Sequence, residues 1–285
     1  MSRIFPFIAG MMCFLGTSAD LPGQSAPVKK KAEKQVVLVL DPGHGGHDRG
    51  AVNGRGFDYQ GQNVSEGAYT YDVAKRVERL AKERGRNIVF TITREERDSI
   101  FDFNEDSIIG GSEKIQFNLP WGQQVAIRGK EFLGRSNEVD RGIVTRGRDG
   151  LAMRVAASKN TLKKYPGATV IFISIHFDYA DSVFSGARIF APAGAGSHPF
   201  VQALKKSFAD AGLQLVKPCT CSGYQFVNAT NYYYLLREGV VRPRVLIELG
   251  NFNNEIDRMR MLRYESREQY AEAIVRAVEA FVSKK

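Results

Sequence analysis

The chain has 285 residues, 43% of them hydrophobic, and a formal net charge of +9. That composition excludes a disordered or fibrous chain and leaves enough apolar material for a sizeable core. Three cysteines exclude a disulfide framework, and the basic balance points to an acidic partner: nucleic acid, anionic lipid or an anionic wall polymer.

Arg3, the apolar run Ile4 to Leu15 and the small residues Thr17-Ser18-Ala19 make the pattern of a secretory signal peptide. Cleavage is expected near Ala19, so residues 1–19 are read as the signal. The run is shorter than the about 20 apolar residues of a membrane span, and no transmembrane span is expected after cleavage. Residues 20–34, rich in Pro, Ser, Ala and Lys, read as a disordered basic linker. The expected location is periplasmic or secreted. Export disfavours nucleic acid as the partner, and no nucleic-acid motif is visible. Of the cysteines, Cys219 and Cys221 remain; an oxidising compartment favours their oxidation, although a bridge within Cys-Thr-Cys closes a strained ring.

Residues 35–285 are expected to form one domain. Val36 to Leu40, mostly β-branched, predicts a short buried strand. Asp41-Pro42-Gly43 stops it, because proline lacks an N–H and glycine tolerates φ > 0. His44 follows, flanked by Gly45 and Gly46, just past the carboxyl end of the strand, where ligands gather in open α/β sheets. A phosphate loop is excluded by the missing Gly-Lys-Ser/Thr ending. Asn53 to Asn63 reads as a surface loop. Ser65 is the expected cap of a helix with Glu66 in its first turn, Val73, Val77 and Leu80 inward, and its end at Gly85. Asn87 to Thr93 predicts a second strand closing at Arg94. A glycine-rich, charged stretch with the single tryptophan, Trp121, follows, and it is read as an insertion at about 97–150.

Leu151 to Lys164 predicts a basic helix with Val155 and Leu162 inward. Ala168 to Ile175 is the most strand-like run in the chain and delivers His176 at its end, as the first strand delivers His44. Gly186 to Ala191 predicts a strand and Ser197 to Ala211 a helix, with His198 a structural residue at its start. Arg244 to Leu249 predicts another buried strand. It carries Glu248, a carboxylate that is costly in apolar surroundings without a partner. Ser266 to Val282 is an amphipathic closing helix. The expected fold class is α/β: a single three-layer domain, with a twisted, mostly parallel sheet and helices on both faces.

Three strands thus bring His44, His176 and Glu248 to the carboxyl edge of one sheet, and a helix start offers Glu66. Two histidines, a carboxylate and an open fourth position make a catalytic zinc shell, and a second carboxylate nearby would serve as general base.

Four blocks, LDPGHGGHDRGA, SEGAYTYDVAKRV, FISIHFDYA and VLIELGNFNNEID, occur in this order. Together they resemble the zinc-dependent N-acetylmuramoyl-L-alanine amidases, the wall-hydrolase family with the D-P-G-H-G-G opening. The resemblance implies one zinc ion per chain held by His44, Glu66 and His176, with Glu248 as the catalytic carboxylate. His44 is preferred to His47 as the ligand because the motif places it. The resemblance also puts Arg94, Leu151, Arg154 and Asn160 in structural or substrate-rim roles, with Asp178 and Asn251 also at the substrate rim. The chain departs from the family at an enlarged loop around residues 57–63, at Phe177-Asp178 where Ala-Asn is usual, and at the 97–150 insertion. The implied substrate is peptidoglycan, cut at the lactyl–L-alanine amide by a monomer, with a protein activator or regulator docking on the insertion. The competing readings are a zinc peptidase acting within the stem peptide and a non-catalytic wall-binding protein.

Overall fold

The computed structural model describes residues 34–45, 50, 57–59, 62–94, 115–118, 148–192, 194–213 and 233–284. Its centre is a five-stranded sheet in the order β4-β1-β7-β9-β8. The strands are β1 (Val36–Pro42), β4 (Asn87–Phe90), β7 (Thr169–Asp178), β8 (Arg188–Phe190) and β9 (Arg244–Asn251). β4, β1, β7 and β9 run parallel, and β8 is antiparallel at the edge. The apolar runs Val36 to Leu40 of β1 and Val245 to Ile247 of β9 follow from burial on both faces, since a strand covered on both sides needs no polar alternation.

Side-chain alternation sorts the sheet into two layers of core. Leu38, Leu40, Ile171, Ile173, Val245 and Ile247 pack with α1 (Glu66–Glu83) and the outer helices α3 (Pro199–Asp210) and α6 (Tyr264–Val282). Val37, Val39, Val170 and Phe172 face the other way, onto Val155 of α2 (Arg148–Lys164) and Leu235 of α4 (Tyr234–Glu238). The three-layer α/β architecture is therefore the one the sequence predicts. Among the described residues no helix is long and apolar enough to cross a membrane.

Several local expectations change. β1 runs on through Asp41 and Pro42, in register with Ser174 and Ile175 of β7. Proline is tolerated there because its missing N–H lies on the side where β4 has ended at Phe90. The predicted strand from Asn87 to Thr93 is broken at Thr91. The Thr91 N–H donates to Leu40 O and its carbonyl accepts from Asn118, so the chain leaves the main sheet. β5 (Ile92–Arg94) then pairs with β6 (Ile115–Phe117) in a separate ribbon. The expected loop at Asn53 to Asn63 contains a hairpin, β2 (Phe57–Tyr59) with β3 (Gln62–Val64).

Helix α2 begins at Arg148, and Leu162 is exposed instead of inward. Its buried face is Val155, Ser158 and Thr161, whose hydroxyls donate to the helix's own carbonyls at Val155 and Ala157 and so tolerate burial. Ser65 occupies the N-cap position of α1 without a side-chain cap bond. His198 caps α3 as expected, its Nδ1 accepting from the Phe200 N–H at 3.2 Å. Among the described residues two α-helices go unpredicted: α4 is too short for a period, and α5 (Glu255–Leu262) is set by its cap, Asn254, which accepts from the N–H groups of Ile256 and Asp257. The signal, the linker, His47, Cys219, Cys221 and most of the 97–150 stretch lie outside the described residues.

Candidate metal centre

The site forms where β1 ends at Pro42, opposite Ile175, and β7 runs on through His176 to Asp178. Gly43 continues β1 by donating its N–H to Ile175 O at 2.7 Å, and the turn that follows carries His44 in the left-handed region, φ +59°. Histidine adopts that conformation more readily than most L-residues, but it still costs energy unless the surroundings hold it. On β7, Ser174 and His176 share the α2 face with Asp41. A Cβ at Gly43 would overlap the His176 ring, so the backbone of one histidine's turn is the floor of the other's imidazole. The two rings meet edge to face, with centroids 5.1 Å apart.

Glu66 reaches the pair from the first turn of α1. Its Oε1 lies 3.3 Å from His44 Nε2 and 3.5 Å from His176 Nδ1, and accepts the Phe177 N–H at 3.0 Å. Gly50, at φ +75°, leaves the room that the Glu66 carboxylate fills. Burial by itself would raise the Glu66 pKa. The charges and hydrogen bonds of His44 and His176 outweigh it and hold Glu66 well below the usual carboxylate range.

The ligand atoms of His44, Glu66 and His176 lie within 4.8 Å of one another, which makes this a group able to hold a metal ion. Two imidazole nitrogens and one carboxylate oxygen, converging at a buried strand edge, suit a divalent transition metal.

Glu248 stands beside this set. It is the registered neighbour of His176 across β7–β9 and of Arg188 across β8–β9. It is buried, and among the described residues its Oε2 has no hydrogen-bond partner. Burial and the nearby Glu66 carboxylate push its pKa up to about 8, against the pull of Arg188 and His44. A carboxylate poised near neutrality, with one oxygen unengaged, is suited to exchanging protons with a reacting group.

The remaining predicted residues lie behind this set or away from it. Arg154 and Asn251, expected in structural or rim positions, are buried at 2% and 3% exposure. Arg154 is bonded to Asp41, Pro42 and His44. Asn251 ties down the loop after β7, donating to Asp181 O and Phe184 O and accepting from the Ala180 N–H. Asp178 is half-buried and pairs with Arg188. Arg94 lies on β5, away from the main sheet. Sequence reasoning passes over Thr70, Ser174 and Arg188, and takes Asp41 only as a turn residue. Nothing in their local sequence marks them, because each acts through a partner far along the chain.

The family model for N-acetylmuramoyl-L-alanine amidase matches residues 38–117 and 123–280. The chain belongs to this amidase family. Membership makes it an amide hydrolase of the cell-wall class. Solved members share the fold. An amidase, Ami1, from Mycobacterium smegmatis superposes with TM-score 0.55 at 20% identity, covering 90% of this chain and 100% of that one. An amidase from Clostridium difficile 630 gives 0.53 at 18% identity, covering 88% and 99%. The CwlD amidase from Clostridioides difficile, solved in complex with the GerS lipoprotein, gives 0.50 at 18% identity, covering 87% and 99%. No curated protein sequence matches the chain.

Proposed function

We propose that this amidase is an exported zinc enzyme that hydrolyses the amide between the lactyl group of N-acetylmuramic acid and the L-alanine of the peptidoglycan stem peptide. The observation that carries the reading is the convergence of His44, Glu66 and His176 beside Glu248, whose Oε2 has no hydrogen-bond partner among the described residues. His44, Glu66 and His176 hold the zinc. When bound there, zinc supplies a positive charge that polarises the scissile carbonyl and acidifies water.

Glu248 is the proton shuttle. It accepts a proton from the water whose oxygen attacks the lactyl carbonyl carbon. As the C–N bond breaks, it returns that proton to the alanine nitrogen. One water is consumed, and the products are a glycan bearing a free lactyl carboxylate and a stem peptide with a free amino terminus. Family membership supports this bond over those within the stem peptide. The signal-like segment 1–19 supports export, and the net charge of +9 supports contact with an anionic wall. A protein regulator belongs to the same reading, with residues 97–150 as its docking segment; a relative of this fold solved with a lipoprotein is consistent with it.

Mass spectrometry of a muropeptide digest tests the assignment. The expected products are intact stem peptides and peptide-free muramyl sugars. Peptides cut internally, with the lactyl amide intact, would make the enzyme a stem peptidase.

A further inference from the structure

Three consecutive carbonyls at the end of β1 are each caught by a side chain. Arg154 Nη1 donates to Pro42 O at 2.6 Å, Thr70 Oγ1 donates to Gly43 O at 2.7 Å, and Arg154 Nη2 donates to His44 O at 2.9 Å. A turn that must keep His44 at φ +59° is thereby held at His44 and at the two residues before it. Arg154 comes from α2, 110 residues along the chain, and is buried.

Its charge is neutralised by Asp41, whose Oδ1 accepts from Nη1 at 2.7 Å. Asp41 is itself fully buried. Its Oδ2 accepts from Ser174 Oγ at 2.6 Å, and its Oδ1 also accepts from Thr91 Oγ1. Ser174 lies two residues before His176 on the same face of β7. One buried ion pair therefore holds both histidine-bearing segments: the His44 turn through the guanidinium, and the His176 strand through Ser174.

An arginine near a cation site is electrostatically unfavourable for the cation, and here Asp41 cancels its charge. Its contribution is consequently geometric. A planar fork spans two carbonyls two residues apart while meeting a carboxylate, which the single nitrogen of a lysine does not reproduce.

We infer that Arg154 is a positioning residue that sets metal affinity by holding the His44 turn in its ligating conformation, with Thr70 and the Asp41–Ser174 bond as its partners. The inference rests on the zinc reading of the site. Outer-shell partners of metal ligands are typically worth 10- to 100-fold in affinity.

The test measures zinc affinity by competition with a chromophoric chelator, on full-length mature protein, for wild type, Arg154→Lys and Arg267→Lys. Arg267 is an equally buried arginine in the outer layer, bonded to Asp72 and to the carbonyls of Met261 and Leu262, and serves as the control for lost stability. The expected result is a 10- to 100-fold weaker zinc affinity for Arg154→Lys, with Arg267→Lys close to wild type even where its melting temperature falls as far. Equal affinity of Arg154→Lys and wild type would overturn the inference while leaving the zinc reading intact. Absence of zinc binding by wild type would overturn both. Should Arg154→Lys fail to fold, Thr70→Val, which removes the hydroxyl's bond to Gly43 O together with its local bond to Gly67 O within α1, carries the same test: a weaker affinity supports the clamp, and an unchanged one refutes it.

Discussion

Replacing Glu248 by glutamine separates the chemistry of this residue from its cost to the fold. Burial and the Glu66 carboxylate raise its pKa from 4.5 to about 8. A carboxyl group whose folded pKa lies above its unfolded value favours the fold fully below pH 4.5, and that contribution is lost as pH rises through 8. The difference between 8 and 4.5, at about 1.4 kcal/mol per unit, sets an upper bound of about 5 kcal/mol. Relaxation and water entry reduce it, so a few kcal/mol is the working figure. Glutamine keeps the shape and does not ionise. Chelator-treated Glu248→Gln should therefore melt roughly 5 to 10 °C above chelator-treated wild type at alkaline pH, at about 2 to 4 °C per kcal/mol for a domain of this size. At pH 4.5 and below, the two melting temperatures should coincide. Turnover of the zinc-loaded variant should fall by a factor of order 10² to 10⁴, the usual worth of a positioned acid–base group. Calorimetry across pH and product release from labelled muropeptides make the two measurements. The same pH slope of melting temperature in both proteins would refute the burial argument. An unchanged rate would refute the proton shuttle.

Purified protein should carry about one zinc per chain, lose activity to a chelator and regain it with added zinc, as read by elemental analysis and rate. Gly43→Ala should cost about 1 to 3 kcal/mol and weaken zinc binding more than 10-fold, because its Cβ overlaps the His176 ring; denaturant titration and chelator competition measure both. Binding to purified anionic wall polymer should weaken steadily as salt rises, since a net charge of +9 acts through a screened field; a pelleting assay over a salt series checks this.

The layered α/β architecture and the residue types of the candidate site are legible in the chain alone. Runs rich in aliphatic and β-branched residues at Val36 to Leu40, Ala168 to Ile175 and Arg244 to Leu249 announce strands buried on both faces. A histidine or glutamate in or just past such a run lies near a sheet edge, because strand and turn are local properties of the chain. The period of Val73, Val77 and Leu80 in the same way fixes which side of α1 is buried, and hence that Glu66 starts a packed helix. Pairing, by contrast, emerges with the folded chain. That His176 and Glu248 are registered neighbours depends on how β7 and β9 align, which no single strand encodes. That Leu162 is exposed while Ser158 and Thr161 are buried depends on where α2 meets the sheet. Asp41 reads as a turn residue until Arg154, Ser174 and Thr91 are seen around it, at separations of 113, 133 and 50 residues. Hydrogen bonds of that span leave no periodic trace in a sequence. They arise because burying a charge demands a partner, and folding alone selects which distant residue supplies it.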